Sequence, residues 1–306
     1  MMNNTDRHNN GSTDHHSDNE DNSTPQTIII INCVLNAPLM LISILGNALV
    51  LAAIIRTPSI RSTPHMIMLC SLAVSDFLVG LVAQPIYIAK ELTKDHYAHY
   101  VSVMMGHSLC GVSFLTITAM TMDRFVALHY HMRYATLVTE SRVKYTLIII
   151  WLSNFLMSCF NLWNTRVHSL ITGLIAIICL IISTFFYVKI YHIVRRHQLQ
   201  IFAQLQAVQS SDAENYLNIV GLKRSAMNSF VFYIALIICY LPAHVLLTVQ
   251  GLSHMNDWPT EWEFANTAVF MNSSINPLLY CWRLRELRAA VVKTARQILC
   301  KEREQN

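Results

Sequence analysis

The residues best suited to do chemistry are polar side chains that interrupt long apolar stretches. Asp76 is the only carboxylate well inside such a stretch. An ionisable side chain within a membrane-spanning helix is costly, so it is a functional candidate. With it, hydroxyls and amides of other stretches supply oxygen ligands for a hydrated monovalent cation, namely Asn47, Ser113, Asn272, Ser273 and Asn276. The alternative is a protonated Asp76 that only hydrogen-bonds between helices.

A charged pair, Asp123 and Arg124, ends the third apolar stretch. Adjacent residues point to different faces of a helix, so Arg124 can face a bundle interior while Asp123 holds its guanidinium from the side. The alternative is a pair at a helix end whose charges reach the membrane surface.

Two prolines interrupt apolar stretches, Pro242 in CYLPAH and Pro277 in NPLLY. Each removes a backbone hydrogen bond and predicts a kink. A kink inside a packed bundle can act as a hinge that moves the inner end of its helix. A static kink is the alternative.

The elements that carry these residues are long apolar runs. Hydrophobic residues make up 53% of the 306-residue chain and charged residues 13%, and about 20 apolar residues suffice to cross a membrane. The runs do not alternate as the strands of a membrane barrel would. They predict an all-α membrane protein, a seven-transmembrane helix bundle. The seven runs are 28–55, 66–89, 101–128, 145–163, 170–194, 227–251 and 264–282.

The basic residues give the orientation. Only Arg7, Lys90, Lys94 and Arg166 fall on the side of the N-terminus, and the rest of the 22 Lys and Arg fall on the other side. Cytoplasmic loops carry the excess of Lys and Arg, so the N-terminus is predicted to be outside. Most of the acidic residues, among them Glu91 and Glu263, are assigned to the outer segments. The net charge of +4 makes no case for nucleic acid.

The two ends flank the bundle, which spans 28–282. Residues 1–27 are rich in Asn, Asp, Ser and Thr and are expected to form a disordered, glycosylated extracellular tail, with N-x-S/T sequons at Asn3, Asn10 and Asn22. Such sequons also arise by chance in an Asn-rich segment. Residues 283–306 predict a short amphipathic helix and a cytoplasmic tail. The helix is expected to lie on the inner leaflet with Cys300 lipidated, the alternative being an unmodified cysteine.

Together the motifs resemble those of the rhodopsin-like (class A) G-protein-coupled receptors, from Ile28 to Cys300. The cytoplasmic half is most similar to adenosine receptors, in MRYATLVTESR around Tyr134 and in NPLLYCWRLREL. The very short link between helices four and five is similar to that of melanocortin receptors. His99 replaces the usual helix-three cysteine, so no outer disulfide is expected. The motifs are GN-x-x-V from Gly46, LA-x-x-D ending at Asp76, DRF from Asp123, Trp151, Tyr187, CYLP from Cys239 and NPLLY from Asn276.

The resemblance implies a multi-pass plasma-membrane glycoprotein that senses an extracellular ligand and transduces the signal to heterotrimeric G proteins. It implies a cytoplasmic cleft around Arg124 and no enzymatic activity. It also implies a sodium ion at Asp76, Ser113 and Asn272 and no other cofactor. The residues of coupling and activation by resemblance are Asp123, Arg124, Met132, Tyr187, Pro242, Asn276, Pro277 and Tyr280.

By the position of the binding pocket in this family, seven residues are expected to bind the ligand. The lining that they form is mainly apolar, which suits a small or lipid-like ligand. Gly106 stands where amine receptors carry an aspartate. Leu247 and Phe270 stand where adenosine receptors contact adenosine, so the ligand class stays open among small molecules, lipids and peptides. His107 and His244 could instead only hydrogen-bond neighbouring helices. The seven residues are Gly106, His107, Cys110, Tyr240, His244, Leu247 and Phe270.

Two rival functions remain at this stage. A transporter predicts an internal repeat, broken helices at paired positions and several charges at the middle of the membrane, whereas the sequence has no internal repeat and one such carboxylate, Asp76. A receptor-like protein that binds without signalling is the other rival, against which the presence of Arg124, Tyr187 and Tyr280 argues.

Overall fold

The computed structural model describes residues 25–58, 63–130, 133–208, 213–253 and 258–303. Every regular element in these ranges is helical, and seven long helices confirm the predicted bundle. The sequons at Asn3, Asn10 and Asn22 and the coupling candidate Met132 lie outside the described residues. The helices are α1 (Gln26–Arg56), α2 (Pro64–Thr93), α3 (His96–His129), α4 (Glu140–Asn161), α5 (Thr165–Val208), α6 (Ala213–Leu252), α7 (Pro259–Arg283) and α8 (Arg285–Arg303), with a helical turn at Tyr134–Leu137 between α3 and α4.

Six of the described helices, α1 to α6, are long and apolar enough to cross a membrane. Many of their large apolar side chains are exposed, for example Leu45, Leu156 and Ile181, as expected of surfaces that face lipid. The seventh helix, α7, is more polar, and many of its polar residues are buried, among them Asn272 and Asn276. These polar side chains therefore face the interior of the bundle.

Short links hold the outer ends of consecutive helices together. Lys94 ends α2 in the left-handed conformation with φ of 53°, and the side chain of Asp95 caps α3 by accepting a hydrogen bond from the Ala98 amide at 2.8 Å. Only residues 162–164 separate α4 from α5, which confirms the very short link. All seven cysteines of the described residues for which a thiol state is given are free.

The second helix contains a local irregularity that the apolar pattern does not reveal. Residues Val79–Ala83 form a π-helical turn, which is followed by Pro85 in the next α-helical segment. One extra residue in a turn rotates the rest of the helix by roughly 100°. As a result, Tyr87 and Glu91 are buried inside the bundle.

The C-terminal helix α8 is amphipathic, as predicted. Leu287, Ala290 and Val291 are buried in the same apolar cluster as Ala53 and Ile54 of α1. Its apolar face therefore lies against the bundle, and its contact with lipid remains a prediction. The Cys300 side chain lies outside the described part of the chain.

Two glycines allow α5 and α6 to approach closely at their outer ends. A Cβ at Gly251 of α6 would lie 2.8 Å from the backbone nitrogen of Leu170 in α5. A Cβ at Gly173 of α5 would lie 3.1 Å from the Cα of Thr248 in α6. Small residues at such contacts let helix backbones pack directly against each other in membranes.

We therefore predict that Gly251→Ala lowers the free energy of unfolding by about 1–3 kcal/mol, because the added methyl group overpacks a backbone contact. The thermal unfolding midpoint of the purified protein measures the effect. Gly106→Ala is the matched control, since no atom lies within 4 Å of a Cβ at Gly106. Equal midpoints for the two variants would contradict the close approach.

Candidate functional site

A cavity of about 570 Å³ lies in the outer half of the bundle. Its volume falls in the range of small-molecule sites, about 300–1,000 Å³. Residues from α2 to α7 line it, and the structure brings together in it all seven residues assigned to ligand binding from the sequence. Their role in binding stays a prediction. They are Gly106, His107, Cys110, Tyr240, His244, Leu247 and Phe270.

Tyr240 forms part of the cavity wall and connects three helices. Its hydroxyl donates to the Cys110 carbonyl of α3 at 3.2 Å, and the Asn272 amide of α7 donates to the same hydroxyl at 3.4 Å. Its ring centroid lies 5.1 Å from that of Phe114. A molecule that contacts Tyr240 therefore acts on α3, α6 and α7 together.

Two histidines of the cavity wall retain unused hydrogen-bonding groups. The His244 ring packs edge-on against Phe114, with 4.9 Å between centroids, and neither of its nitrogens has a hydrogen-bond partner among the described residues. The His107 ring lies 5.0 Å from the ring of His168, and within the same ranges its Nδ1 has no partner. For His244 the structure does not support the alternative of a purely structural hydrogen bond to a neighbouring helix.

Two acidic residues that were predicted to lie in the outer segments, Glu91 and Glu263, line the cavity. Glu91 is 8% exposed and Glu263 is 5% exposed. They lie on the outer side as predicted, but within helices rather than in links, because α2 continues to Thr93 and α7 already begins at Pro259. The spacing of Tyr87, Lys90 and Glu91 at i, i+3 and i+4 places them on one helix face and was the available signal.

A polar network holds these acids in place. The Glu263 Oε2 atom accepts hydrogen bonds from the Tyr87 hydroxyl and from the Asn32 amide, the latter at 2.9 Å. The Lys90 ammonium contacts Glu91 and lies 3.8 Å from the Glu263 Oε1 atom. The outer part of the cavity is therefore polar and charged, so the expected apolar lining is found only deeper, around Phe114 and Phe270.

Below the cavity, Asp76 is completely buried and joins α2 to α3 and α7. Its Oδ1 atom accepts hydrogen bonds from the Ser113 hydroxyl at 2.9 Å and the Ser273 hydroxyl at 2.8 Å, and its Oδ2 atom accepts one from the Asn276 amide at 2.8 Å. Asn272 is directed to Tyr240 instead. The structure thus brings Ser113 to Asp76 but separates Asn272 from them.

The oxygens around Asp76 fit a small cation. Besides the carboxylate, the hydroxyls of Ser113 and Ser75 lie 2.9 Å from each other. Asn47 donates to the Ser273 carbonyl at 3.1 Å, and its own Oδ1 is buried without a partner among the described residues. A buried acceptor without a donor is unfavourable, and a cation or water would satisfy it.

The inner end of the bundle contains a second cavity of only about 30 Å³. Arg124, Tyr187 and Tyr280 all line it, together with apolar residues of α2 and α3 and with Leu284 between α7 and α8. Tyr187 accepts a hydrogen bond from the Thr121 hydroxyl at 3.2 Å. The inner ends of these helices are therefore packed closely together in this structure.

The contact expected between Asp123 and Arg124 is not formed. No ion pair within 4.0 Å joins these two described residues, so the prediction that Asp123 holds the guanidinium was wrong. The Asp123 Oδ1 atom instead accepts a hydrogen bond from the Tyr134 hydroxyl at 2.8 Å. Burial and this hydrogen bond raise the pKa of Tyr134 above its ordinary value, so Tyr134 stays a donor at neutral pH.

The remaining activation candidates lie on α6 and α7. Pro242 is within α6, between the cavity residues Tyr240 and His244. Pro277 is within α7, next to Asn276, and its ring approaches Gly46 of α1 so closely that a Cβ there would lie 3.0 Å away. Both helices continue through their prolines.

Comparisons with known proteins agree with this arrangement. Residues 46–172 match the model of the 7 transmembrane receptor (rhodopsin family). The chain is 24% identical to the adenosine receptor A2b of Gallus gallus, over 92% of this chain and 91% of that protein. It is 26% identical to the histamine H2 receptor of Cavia porcellus, over 82% and 76%. It is 25% identical to the melanocortin receptor 5 of Homo sapiens, over 85% and 81%.

The Asp76 network predicts a large stability effect. Asp76→Ala leaves three buried donors without their acceptor. Each donor that finds no other partner lowers the free energy of unfolding by roughly 1–3 kcal/mol. We expect the thermal midpoint of the purified protein to fall well below that of wild type. Asp76→Asn is the control, since its remaining side-chain oxygen can still accept from Ser113 and Ser273, and its midpoint should fall less. An Asp76→Ala variant as stable as wild type would contradict the network.

Proposed function

Since the chain is a member of the rhodopsin-like (class A) family of G-protein-coupled receptors, we propose that its extracellular ligand binds in the outer cavity and that the inner cavity is the closed form of the G-protein cleft. The receptor is a multi-pass protein of the plasma membrane. The observation that carries the proposal is the position of Tyr240, which lines the cavity two residues from Pro242.

Pro242 supplies the hinge in this mechanism. It has no amide hydrogen for the carbonyl of Ile238, so α6 is weakened at this point. Cavity residues lie on both sides of the weak point, Tyr240 on the inner side and His244 and Leu247 on the outer side. A ligand that touches both sides binds differently to the straight and the bent helix, and this difference in affinity shifts the population.

An outward swing of the inner half of α6 opens the cleft. The inner cavity of about 30 Å³ holds about one water molecule and admits no protein segment. The swing uncovers Arg124, Tyr187 and Tyr280 to a heterotrimeric G protein. Asp123 keeps its hydrogen bond to Tyr134 and so helps to hold the inner loop beside α3.

At three positions the cavity wall lacks the groups by which amine and adenosine receptors hold their ligands. Gly106 offers no carboxylate on α3, and Leu247 and Phe270 occupy two positions where adenosine receptors contact adenosine. Buried Glu91 and Glu263 favour a molecule with a polar end over an entirely apolar lipid. A small polar molecule or the end of a peptide fits the cavity best.

A sodium ion would be held by Asp76 and by the hydroxyls of Ser113 and Ser273, with Asn47 near enough to contribute through water. Its positive charge would balance the buried carboxylate. Since the carboxylate already joins α2, α3 and α7, the ion would favour the closed arrangement of these helices. Asn272 would act through Tyr240 rather than as a ligand of the ion.

The two ends of the chain complete the proposal. Glycans on Asn3, Asn10 and Asn22 would lie outside the cell, and a lipid on Cys300 would anchor α8 beside the inner leaflet. The exposed Arg288, Lys293 and Arg296 of α8 favour a position next to anionic lipid headgroups.

Signalling is tested with Arg124→Ala. We expect basal and ligand-stimulated G-protein activation to fall to the level of cells without the receptor, because the only described arginine lining the inner cavity is removed. G-protein activation in cells, scanned over all heterotrimer subtypes, measures it. Arg56→Ala removes the same charge from an exposed position at the inner end of α1 and should signal like wild type.

Equal surface expression of the variants must be established first. Signalling that survives Arg124→Ala would contradict the proposal that the inner cavity is the closed G-protein cleft. If wild type binds a molecule in the outer cavity but activates no G-protein subtype, the result would favour a receptor-like protein that binds without signalling.

The sodium proposal predicts a salt-specific stabilisation. At sodium concentrations ten times its Kd, the free energy of unfolding should rise by about 1.4 kcal/mol relative to choline chloride at the same ionic strength. The thermal midpoint in the two salts measures the difference. Asp76→Asn should abolish it. A wild-type midpoint that is the same in both salts would contradict sodium binding.

A further inference from the structure

We infer that the ligand of the outer cavity carries a cationic group, a protonated amine or a guanidinium, which binds between Glu91 and Glu263. This inference rests on the proposed function and adds the chemical class of the ligand. It assigns the cation to the wall formed by α2 and α7, away from the Gly106 position on α3.

The charges of the cavity wall do not balance. Among the described residues that line the cavity, the carboxylates are Glu91 and Glu263 and the one basic side chain other than histidine is Lys90. The two carboxylates are neighbours, and both are more than nine-tenths buried. One ammonium neutralises only one of two neighbouring buried carboxylates, so the second must hold either a proton or a further cation.

The contacts of the two carboxylates show where an added cation would bind. The Glu263 Oε2 atom is occupied by Tyr87 and Asn32. Its Oε1 atom has Lys90 at 3.8 Å, which is too long for a hydrogen bond. The Lys90 ammonium is closer to Glu91. The Glu263 Oε1 atom therefore has no described ammonium within hydrogen-bond distance, and a cation on a ligand would approach it from the cavity that Glu263 lines.

An independent observation on another helix also indicates a ligand that donates hydrogen bonds. Asn161, at the end of α4, lines the cavity and is only 8% exposed. Its Oδ1 atom receives no hydrogen bond from the part of the chain that the structure describes. A buried acceptor that is left without a donor has an energetic cost. A donor on the ligand would remove that cost.

The cavity wall thus offers a carboxylate without an ammonium in hydrogen-bond contact and a buried amide oxygen without a donor among the described residues. A cationic group supplies both a positive charge and hydrogen-bond donors, since an ammonium has three donors and a guanidinium has several. An anionic ligand would meet like charge, and an apolar ligand would leave the carboxylates and Asn161 desolvated without partners. The deeper walls, with Phe114 and Phe270, would hold the apolar part of the same molecule.

The test uses matched probes on the purified full chain in lipid nanodiscs. Benzylamine and benzamidine carry the cation, benzyl alcohol is the neutral counterpart, and benzoate is the anionic one. Each is titrated to millimolar concentration while the thermal unfolding midpoint is recorded. We expect a saturable rise in the midpoint with the two cations and none with benzyl alcohol or benzoate.

Three variants assign the effect to the two carboxylates. Glu263→Gln should weaken binding of benzamidine about tenfold, the equivalent of about 1.4 kcal/mol, while Gln keeps the acceptor for Tyr87 and Asn32. Glu91→Gln should act in the same direction. Lys90→Gln should strengthen binding, because it removes the competing ammonium. A purely structural role of the network does not predict this gain.

Glu261→Gln is the matched control. It removes the same charge two residues before Glu263, at an exposed position in the first turn of α7, and should leave benzamidine binding unchanged. The inference is overturned if no cationic probe binds, if benzyl alcohol binds as well as benzylamine, or if Glu263→Gln binds benzamidine like wild type. Calcium chloride that stabilises wild type through the same carboxylates would replace the organic cation by a metal and would also overturn it.

This experiment is separable from the proposed function because it contains no G protein. Cationic probes that bind to a receptor silent with every G protein would leave the inference intact and contradict signalling. Signalling through a neutral ligand that is unaffected by Glu263→Gln would do the opposite.

Discussion

The bundle depends on one buried carboxylate. Asp76 in α2 accepts hydrogen bonds from Ser113 in α3 and from Ser273 and Asn276 in α7, and its backbone carbonyl accepts one from Ser43 in α1 at 2.7 Å. Lipid tails are as apolar as leucine, so apolar contact alone gives membrane helices little preference for one partner or register. A buried carboxylate that must be satisfied does give such a preference. The relative positions of α1, α2, α3 and α7 follow from it.

The hydrogen-bonded residues around Asp76 lie between the two cavities and connect them. On its outer side, Asn272 donates to Tyr240, which lines the outer cavity. The next residue along α7, Ser273, donates to Asp76. On the inner side, Tyr280 lies one turn beyond Asn276 and lines the inner cavity. A displacement of Tyr240 by a ligand would therefore reach the inner end through a short stretch of α7 and the carboxylate that it contacts.

The lipid environment explains why much of the fold could be predicted from the sequence. Backbone groups in a membrane must be satisfied within helices, so long apolar runs translate directly into α1 to α6. The more polar α7 was found because its run from Phe264 is still continuous. The π-helical turn at Val79–Ala83 was not foreseen, because its residues are as apolar as those of an ordinary helix.

The candidate site was predictable only in part, for a related reason. All seven residues assigned to the pocket line one cavity, since family position fixes which helix faces point inward. Glu91 and Glu263 were missed because an apolar run was taken to end where charges begin, although α2 and α7 continue past that point inside the bundle. The missing contact between Asp123 and Arg124 depends on Tyr134, a residue of the inner loop that no helical pattern connects to α3.

The proposed activation step is an outward swing of the inner half of α6 around Pro242, which opens the cleft. The most direct measurement is the distance between spin labels at the positions of Lys144 in α4 and Lys223 in α6, before and after adding nucleotide-free heterotrimeric G protein of each subtype. We expect at least one G protein to add a population with a longer distance, and Arg124→Ala to abolish this population. A distance distribution that stays the same with every G protein would contradict the outward swing of α6.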